Sequence, residues 1–194
     1  MQAQNSFYTR RLSKDERAET RVIENALALP VCDGSFALLD HWRRARQSGG
    51  LHLGRDIPSP ALAKTLANLM ICEPLGTSDV RLHHVGTEIE IQNGLALTGT
   101  LLSDQLPPED FARWLEHQRR VMSENVPVML DRRRTLHGAV IAHDEVLMVP
   151  AVAKDGVSIW VVAAVSFHPV TTDQIHVNAH GATALQPNAK DAAR

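Results

Sequence analysis

The sequence predicts an α+β protein in which a five-stranded antiparallel sheet carries helices on one face. Three patterns indicate this fold class. Two long apolar runs enclose an Asp-Gly turn late in the chain, and two shorter strand patterns lie between residues 68 and 85. A long amphipathic helix pattern at residues 107–125 separates the two groups of strands. Strands in groups of two and three, with helices between them, favour an antiparallel sheet.

The N-terminal third has the spacing of helices. Residues 14–29 carry apolar side chains at helical intervals and stop before Pro30, so we predict an amphipathic helix outside the main domain. Residues 31–35 have the composition of a linker. A second amphipathic helix is predicted at residues 36–47, and a short third helix at residues 60–66.

The middle of the chain alternates between strand and helix patterns. Residues 68–73 and 80–85 are short strand patterns with a Pro- and Gly-containing loop between them. Residues 87–93 alternate like a strand but are bounded by glycines, so periodicity leaves helix and strand both open. The 107–125 helix begins with prolines and acids, as a helix N-terminus favours, and a third strand follows at residues 126–136.

The last two strands form the strongest pattern in the chain. Residues 140–152 and 157–168 are rich in β-branched side chains, and Asp155-Gly156 suits the tight turn between them. Both faces of the second run are apolar, so we predict a central strand that needs cover on both sides.

Composition limits the classes of function. The chain has 194 residues and a formal net charge of -2, which gives no reason to expect nucleic acid as a partner. Cys32 and Cys72 lie far apart and outside any CxxC motif, which favours reduced thiols. No apolar stretch is long enough to span a bilayer, so we expect a cytoplasmic protein without a membrane partner. We divide it into an N-terminal segment (1–35), a domain (36–169) and a flexible tail (170–194).

Catalytic and metal-binding motifs are not found in the sequence. It has no GxSxG, P-loop, GxGxxG or HExxH pattern, so we do not predict an enzyme. His83 and His84 are adjacent on a strand and point to opposite faces, whereas His176 and His180 have helical spacing within the predicted tail. We therefore predict no metal site.

Arginines mark one further candidate site. Arg132 and Arg134 share one face of the predicted strand, and Arg133 lies on the other. A solvated edge explains them most simply. The alternative is a site for an anion or a partner protein, because guanidinium groups bind carboxylates and phosphates well.

The order of elements resembles a PAS domain, specifically the PAS-like family of small proteobacterial proteins once catalogued as a domain of unknown function. The resemblance rests on the helix with Trp42, RDIPSPAL, HHVGTEIEIQNGLALTG, the helix at 111–122, Pro127 and EVLMVPAVAKDG. It implies a helix at residues 87–93 and a sensory or regulatory role. Cys72 lies on a strand and not in a flavin-type motif, so we do not predict a photochemical flavin sensor. The identity of any cofactor stays unknown.

Three functions remain open. The first is a stand-alone PAS-type regulator that acts through a small apolar or amphipathic ligand or through a signalling partner. The second is a ligand-free protein interaction module, whose pocket is filled by side chains such as Trp114, Leu147 and Val161. The third and least favoured is a small α+β enzyme with His84 or His137 as its base.

We predict that any pocket lies between the inner sheet face and the helices at 87–93 and 107–125. Its predicted lining residues are His84, Ile91, Trp114, Leu147 and Val161.

We also predict self-association. Trp160, Val162 and Ala164 give the second sheet face an apolar surface that must be kept from water. The predicted cover is the helix at residues 14–29 or the same surface of a second copy, in a homodimer.

Overall fold

A computed structural model describes residues 14–168 as an α+β fold built on one antiparallel sheet. Within this range the sheet has six strands in the order β1-β4-β5-β6-β2-β3. No helix there has the length and apolar character that crossing a membrane requires. The helices are α1 (Lys14–Glu19), α2 (Asp33–Arg46), α3 (Thr87–Asn93) and α4 (Pro108–Glu124), and the strands are β1 (Arg21–Ala26), β2 (Leu69–Leu75), β3 (Asp79–Val85), β4 (Val128–Leu136), β5 (Ala139–Val152) and β6 (Ile159–His168).

The predicted hairpin is confirmed and occupies the centre of the sheet. β5 and β6 pair from His143 opposite His168 to Val152 opposite Ile159. Asp155 fixes the turn, because its Oδ1 accepts hydrogen bonds from the backbone N–H groups of Val157 (2.9 Å) and Ser158 (2.8 Å).

Helices cover both faces of the sheet, so the prediction of helices on one face only is wrong. On what we call the α4 face, Val161, Ala163 and Val165 pack in one apolar cluster with α3 and α4. On the α2 face, Val162 and Ala164 pack in a second cluster with α2 and the segment that follows it. The alternation of β6 therefore divides one strand between two cores.

The predicted helix at residues 14–29 is wrong beyond Glu19. Residues 21–26 instead form β1, which pairs antiparallel with β4 from Arg21 opposite Thr135 to Ala26 opposite Leu130. β1 is the sixth strand, and it makes this segment part of the sheet and not a separate helical extension. Val22 and Ile23 are β-branched, and the open edge of β4 offers backbone hydrogen bonds that outweigh a weak helical preference.

The second apolar face is covered by the same chain. α2 begins at Asp33, within the segment predicted as a linker, and buries Leu38, Leu39 and Trp42 on the sheet. Neither the helix predicted at residues 14–29 nor a second copy is needed there. The physical argument for a homodimer on this face therefore no longer holds.

The helix that the resemblance implied at residues 87–93 is confirmed as α3. It begins after Gly86, where a Cβ would lie 2.3 Å from the carbonyl oxygen of Ala67, so only glycine fits this approach of two backbones. Two 3₁₀ turns, Pro60–Leu62 and Leu66–Asn68, replace the single short helix predicted at residues 60–66. The predicted tail from Val170 lies outside the described residues.

Leu38 lies on the side of α2 that packs on the sheet, and it is fully buried. We therefore expect Leu38→Ala to lower the free energy of unfolding by about 2–5 kcal/mol, as for other buried leucines. Phe36 on the same helix is 50% exposed, and Phe36→Ala should cost less than about 1 kcal/mol. Urea denaturation of both variants measures the difference. Equal losses would contradict the assignment of α2 as the cover of this sheet face.

Candidate functional site

A cavity of about 360 Å³ lies between the α4 face of the sheet and the layer formed by α3, α4 and residues 95–107. This is the place predicted for a pocket from the sequence. Its walls are mostly apolar, with contributions from the sheet and from the helical layer. They include Met70, Leu82, Ala142, Val165 and Phe167 on the sheet and Ile89, Leu95, Leu97, Leu102 and Leu106 opposite them.

Two arginines give the cavity a charged wall. Arg132 and Arg134 lie two residues apart on β4 and both line the cavity. Their common partner is Asp144, which is fully buried on β5 directly opposite Arg132. The Nε of Arg132 donates to Asp144 Oδ2 at 2.9 Å, and the Nε of Arg134 lies 3.8 Å from Asp144 Oδ1. Asp144 is thus shared by two guanidinium groups, and Glu24 and Asp110 also lie within electrostatic reach of Arg132.

Hydrogen-bonding groups surround this charged wall. The Nη1 of Arg134 donates to Asn93 Oδ1 at 3.2 Å, which connects β4 to the end of α3. The guanidinium carbon of Arg132 lies 5.6 Å from the centre of a Trp114 ring, within cation–π range. Trp114 is 4% exposed, and its buried indole N–H has no acceptor among the described residues. A buried donor left unpaired beside a cavity points to a water or a ligand as its acceptor.

β1 and α4 close one side of the cavity. Thr20 and Val22 line it, and the Nη2 of Arg113 on α4 donates to the carbonyl of Val22 at 2.9 Å. His117 lies 3.0 Å from Glu24, between its Nε2 and the carboxylate Oε2. Although burial disfavours the charge on Glu24, its contacts with His117 and Arg132 hold its pKa below the usual value.

Asp110, at the start of α4, is the buried acid of the cavity wall. It is 9% exposed and forms an ion pair with Arg113. Burial raises the pKa of Asp110 above its usual value, and the nearby guanidinium of Arg113 offsets this only in part. The fold therefore makes this carboxyl harder to ionise than an exposed aspartate.

The structure brings together three of the seven residues predicted for binding. Trp114, Arg132 and Arg134 lie at the cavity wall. Val161 is fully buried in the same core but is not part of the wall, and Leu147 packs in the core on the opposite face.

The other two predicted residues, His84 and Ile91, are exposed. His84 follows a register irregularity between β2 and β3, which breaks the alternation so that Val85 turns inward in its place. The error at Leu147 is one position in register, because its neighbours Val146 and Met148 are the residues that pack on the α4 face.

Sequence reasoning missed Asp144 and Asn93. Asp144 sits within an apolar strand, and only its pairing with Arg132 across the sheet reveals its role. An acid in the middle of an otherwise apolar central strand was the available signal, because buried carboxylates are retained when they are paired.

A second concavity lies at the opposite end of the sheet, between the ends of α2 and α4. It measures about 460 Å³ and is lined by Trp42, Arg46, Met122 and backbone of the Gly49-Gly50 turn, among others. It lacks a buried pair of charges, so the cavity beside Arg132 is the better candidate for specific binding.

In comparisons with protein-family models, curated proteins and solved structures, nothing matches this chain.

The raised pKa of Asp110 predicts a pH dependence of stability. The folded state binds this proton more tightly than the unfolded state, so the contribution is present below the unfolded pKa and is lost as pH rises through the folded pKa. We expect the stability of Asp110→Asn relative to the unmodified protein to rise in urea denaturation as the pH increases above about 4, the ordinary pKa of an aspartate. Glu109→Gln, at the exposed neighbouring position, serves as control and should show no such trend. A difference that does not change with pH would refute this assignment.

Proposed function

We propose that this protein is a PAS-type sensory or regulatory protein whose cavity binds a small amphipathic molecule with an anionic group. The observation that carries the proposal is an apolar cavity with Arg132 and Arg134 at its wall. Its volume of about 360 Å³ lies in the range of about 300–1,000 Å³ that small-molecule sites have.

The charges of the wall favour an anion over a neutral ligand. Arg132 and Arg134 share the carboxylate of Asp144 at the cavity wall, and guanidinium groups of this kind also bind the carboxylate of a ligand well. The indole N–H of Trp114 offers a further donor. The apolar remainder of the wall suits a hydrocarbon body, because burying such a body is favourable by about 25 cal/mol per Å².

The order of elements supports a PAS-like assignment. Two strands, a helical layer that contains α3 and α4, and three further strands follow one another as in the family that the sequence resembles. β2 to β6 are contiguous in the sheet, and β1 is added outside β4. We therefore propose that the chain belongs to this PAS-like family.

Binding of a ligand in this cavity can affect the surface of the protein through the segment around β1. Thr20 and Val22 line the cavity and flank the start of β1, so occupancy can bias how the N-terminal segment packs. Ile23, Leu29, Val31 and Phe36 are apolar and at least half exposed. We propose this segment as the surface for self-association or for a signalling partner.

The two alternative functions have weaker support. A ligand-free interaction module was expected to fill its pocket with Trp114, Leu147 and Val161, but only Trp114 lies at the cavity. His84 and His137, the bases considered for an enzyme, are both exposed and are not among the cavity residues.

Retention of a natural ligand tests the proposal directly. We expect native mass spectrometry of protein purified from its own host to show one bound small molecule per chain. Ala142→Phe should abolish this adduct, because Ala142 is buried at the cavity wall and a phenyl ring there occupies the space. Ala139→Phe places the same ring on β5 outside the wall and should leave the adduct intact. Equal adducts in both variants would place the ligand elsewhere.

The class of ligand is tested with matched probes. We expect octanoate and decanoate to bind more tightly than octanol and decanol, with tryptophan fluorescence as the measurement, because Trp114 lies at the wall. Arg134→Gln should weaken carboxylate binding about tenfold or more and leave alcohol binding unchanged. Arg133→Gln, at an exposed position on the same strand, is the control. Equal affinity of the unmodified protein for acids and alcohols would argue against an anion site.

A further inference from the structure

A second cluster of reactive side chains lies on the α2 face of the sheet, away from the cavity. Cys32, Glu145 and His168 each place one ligand atom within 4.8 Å of the other two. The Sγ of Cys32 lies 3.7 Å from the Nε2 of His168. None of these three residues lines the cavity, so the cluster is independent of the proposed function.

Three separate elements build this cluster. Cys32 is the residue before the first turn of α2. Glu145 and His168 lie on the neighbouring strands β5 and β6, where Glu145 is opposite Ser166 and His143 is opposite His168. The two residues therefore share the α2 face, and their separation in sequence from Cys32 hid the cluster from sequence analysis.

The donor atoms are those that a zinc-type metal ion prefers. Thiolate sulfur, imidazole nitrogen and carboxylate oxygen bind zinc together, whereas magnesium and calcium take oxygen ligands. Zinc–sulfur and zinc–nitrogen bonds of ordinary length at a tetrahedral angle place the two atoms about 3.6 Å apart. The observed 3.7 Å between Cys32 and His168 fits this separation.

Hydrogen bonds hold the Glu145 carboxylate in position, and its oxygens can still coordinate a metal ion. Its side chain is fully buried, and its two oxygens accept from the backbone N–H groups of Val31 (2.7 Å) and Cys32 (3.2 Å). A carboxylate has about four lone-pair positions, so these two bonds leave room for a metal. The charges of a carboxylate and a thiolate also balance a divalent cation.

The surroundings supply a second group of donors around the same histidine. Asp131, His143 and His168 also place ligand atoms within 4.8 Å of one another. The rings of His143 and His168 have centroids 4.4 Å apart, and His143 Nε2 contacts Asp131 Oδ1. His168 is common to both groups and is the residue on which either arrangement depends.

We propose that Cys32, Glu145 and His168 form a binding site for a divalent zinc-type metal ion, with the fourth position taken by water. On binding, the Cys32 thiol becomes a thiolate and its proton is released to solvent. The metal would tie the start of α2 to β5 and β6, which are otherwise joined there by the hydrogen bonds of Glu145.

Cobalt and zinc titrations of the full-length protein test this site. We expect one equivalent of Co²⁺ per chain with a thiolate-to-cobalt charge-transfer band, which one equivalent of Zn²⁺ removes. Cys32→Ser should abolish the band, and His168→Ala should weaken metal binding about tenfold or more. Mg²⁺ should not compete.

Matched controls separate this site from other donors in the chain. Cys72→Ser should retain the band, because Cys72 is fully buried in the other core and burial raises the pKa of its thiol to about 12. His176→Ala/His180→Ala tests the histidines beyond residue 168 and should leave the stoichiometry unchanged.

The unmodified protein alone can overturn the proposal, whether or not the variants fold. Absence of the charge-transfer band at saturating Co²⁺ would exclude thiolate ligation. Metal binding of unchanged affinity in His168→Ala, or metal binding that depends on the histidines beyond residue 168, would equally reject this site.

Discussion

The antiparallel pairing of β5 with β6 is the constraint on which the rest of the structure depends. Because successive side chains of a strand point to opposite faces, the register of β5 decides which residues meet α4 and which meet α2. Asp144 points to the α4 face, where it pairs with Arg132 and Arg134, and Glu145 points to the α2 face and the cluster with Cys32. A slip of one residue would exchange these two acids and place each beside the wrong partners.

Both acids are fully buried, and each is compensated in a different way. Asp144 is offset by two guanidinium groups, and Glu145 by two backbone N–H groups at the start of α2. An uncompensated buried carboxylate costs several kcal/mol, and even a well-paired one adds little net stability. Apolar residues at these positions would serve folding as well. The two charges are therefore more consistent with the binding roles that we propose than with a contribution to stability.

The sequence predicts the elements whose pattern is local. The hairpin, α4 and the two short strands follow from periodicity and turn residues, and α3 needed the resemblance because its alternation suits a strand equally well. β1 escaped prediction because residues 21–26 pair with a strand edge that lies 104 to 114 positions further along the chain, from Arg21 opposite Thr135 to Ala26 opposite Leu130. Local spacing contains no signal of such an edge.

The residues of the candidate sites also differ in whether local sequence or distant pairing reveals them. Arg132 and Arg134 were found because two residues on one strand face are visible in sequence, and Trp114 because it lies in the apolar stripe of α4. Asp144 required the pairing of β4 with β5, and Cys32 with His168 required the docking of α2 on the sheet. β1 has the same dependence, since Arg113 and His117 of α4 bind it across the side of the cavity. The segment that sequence patterns described least well thus contacts both the cavity and the surface, and it is the segment through which we propose that an occupied cavity is sensed.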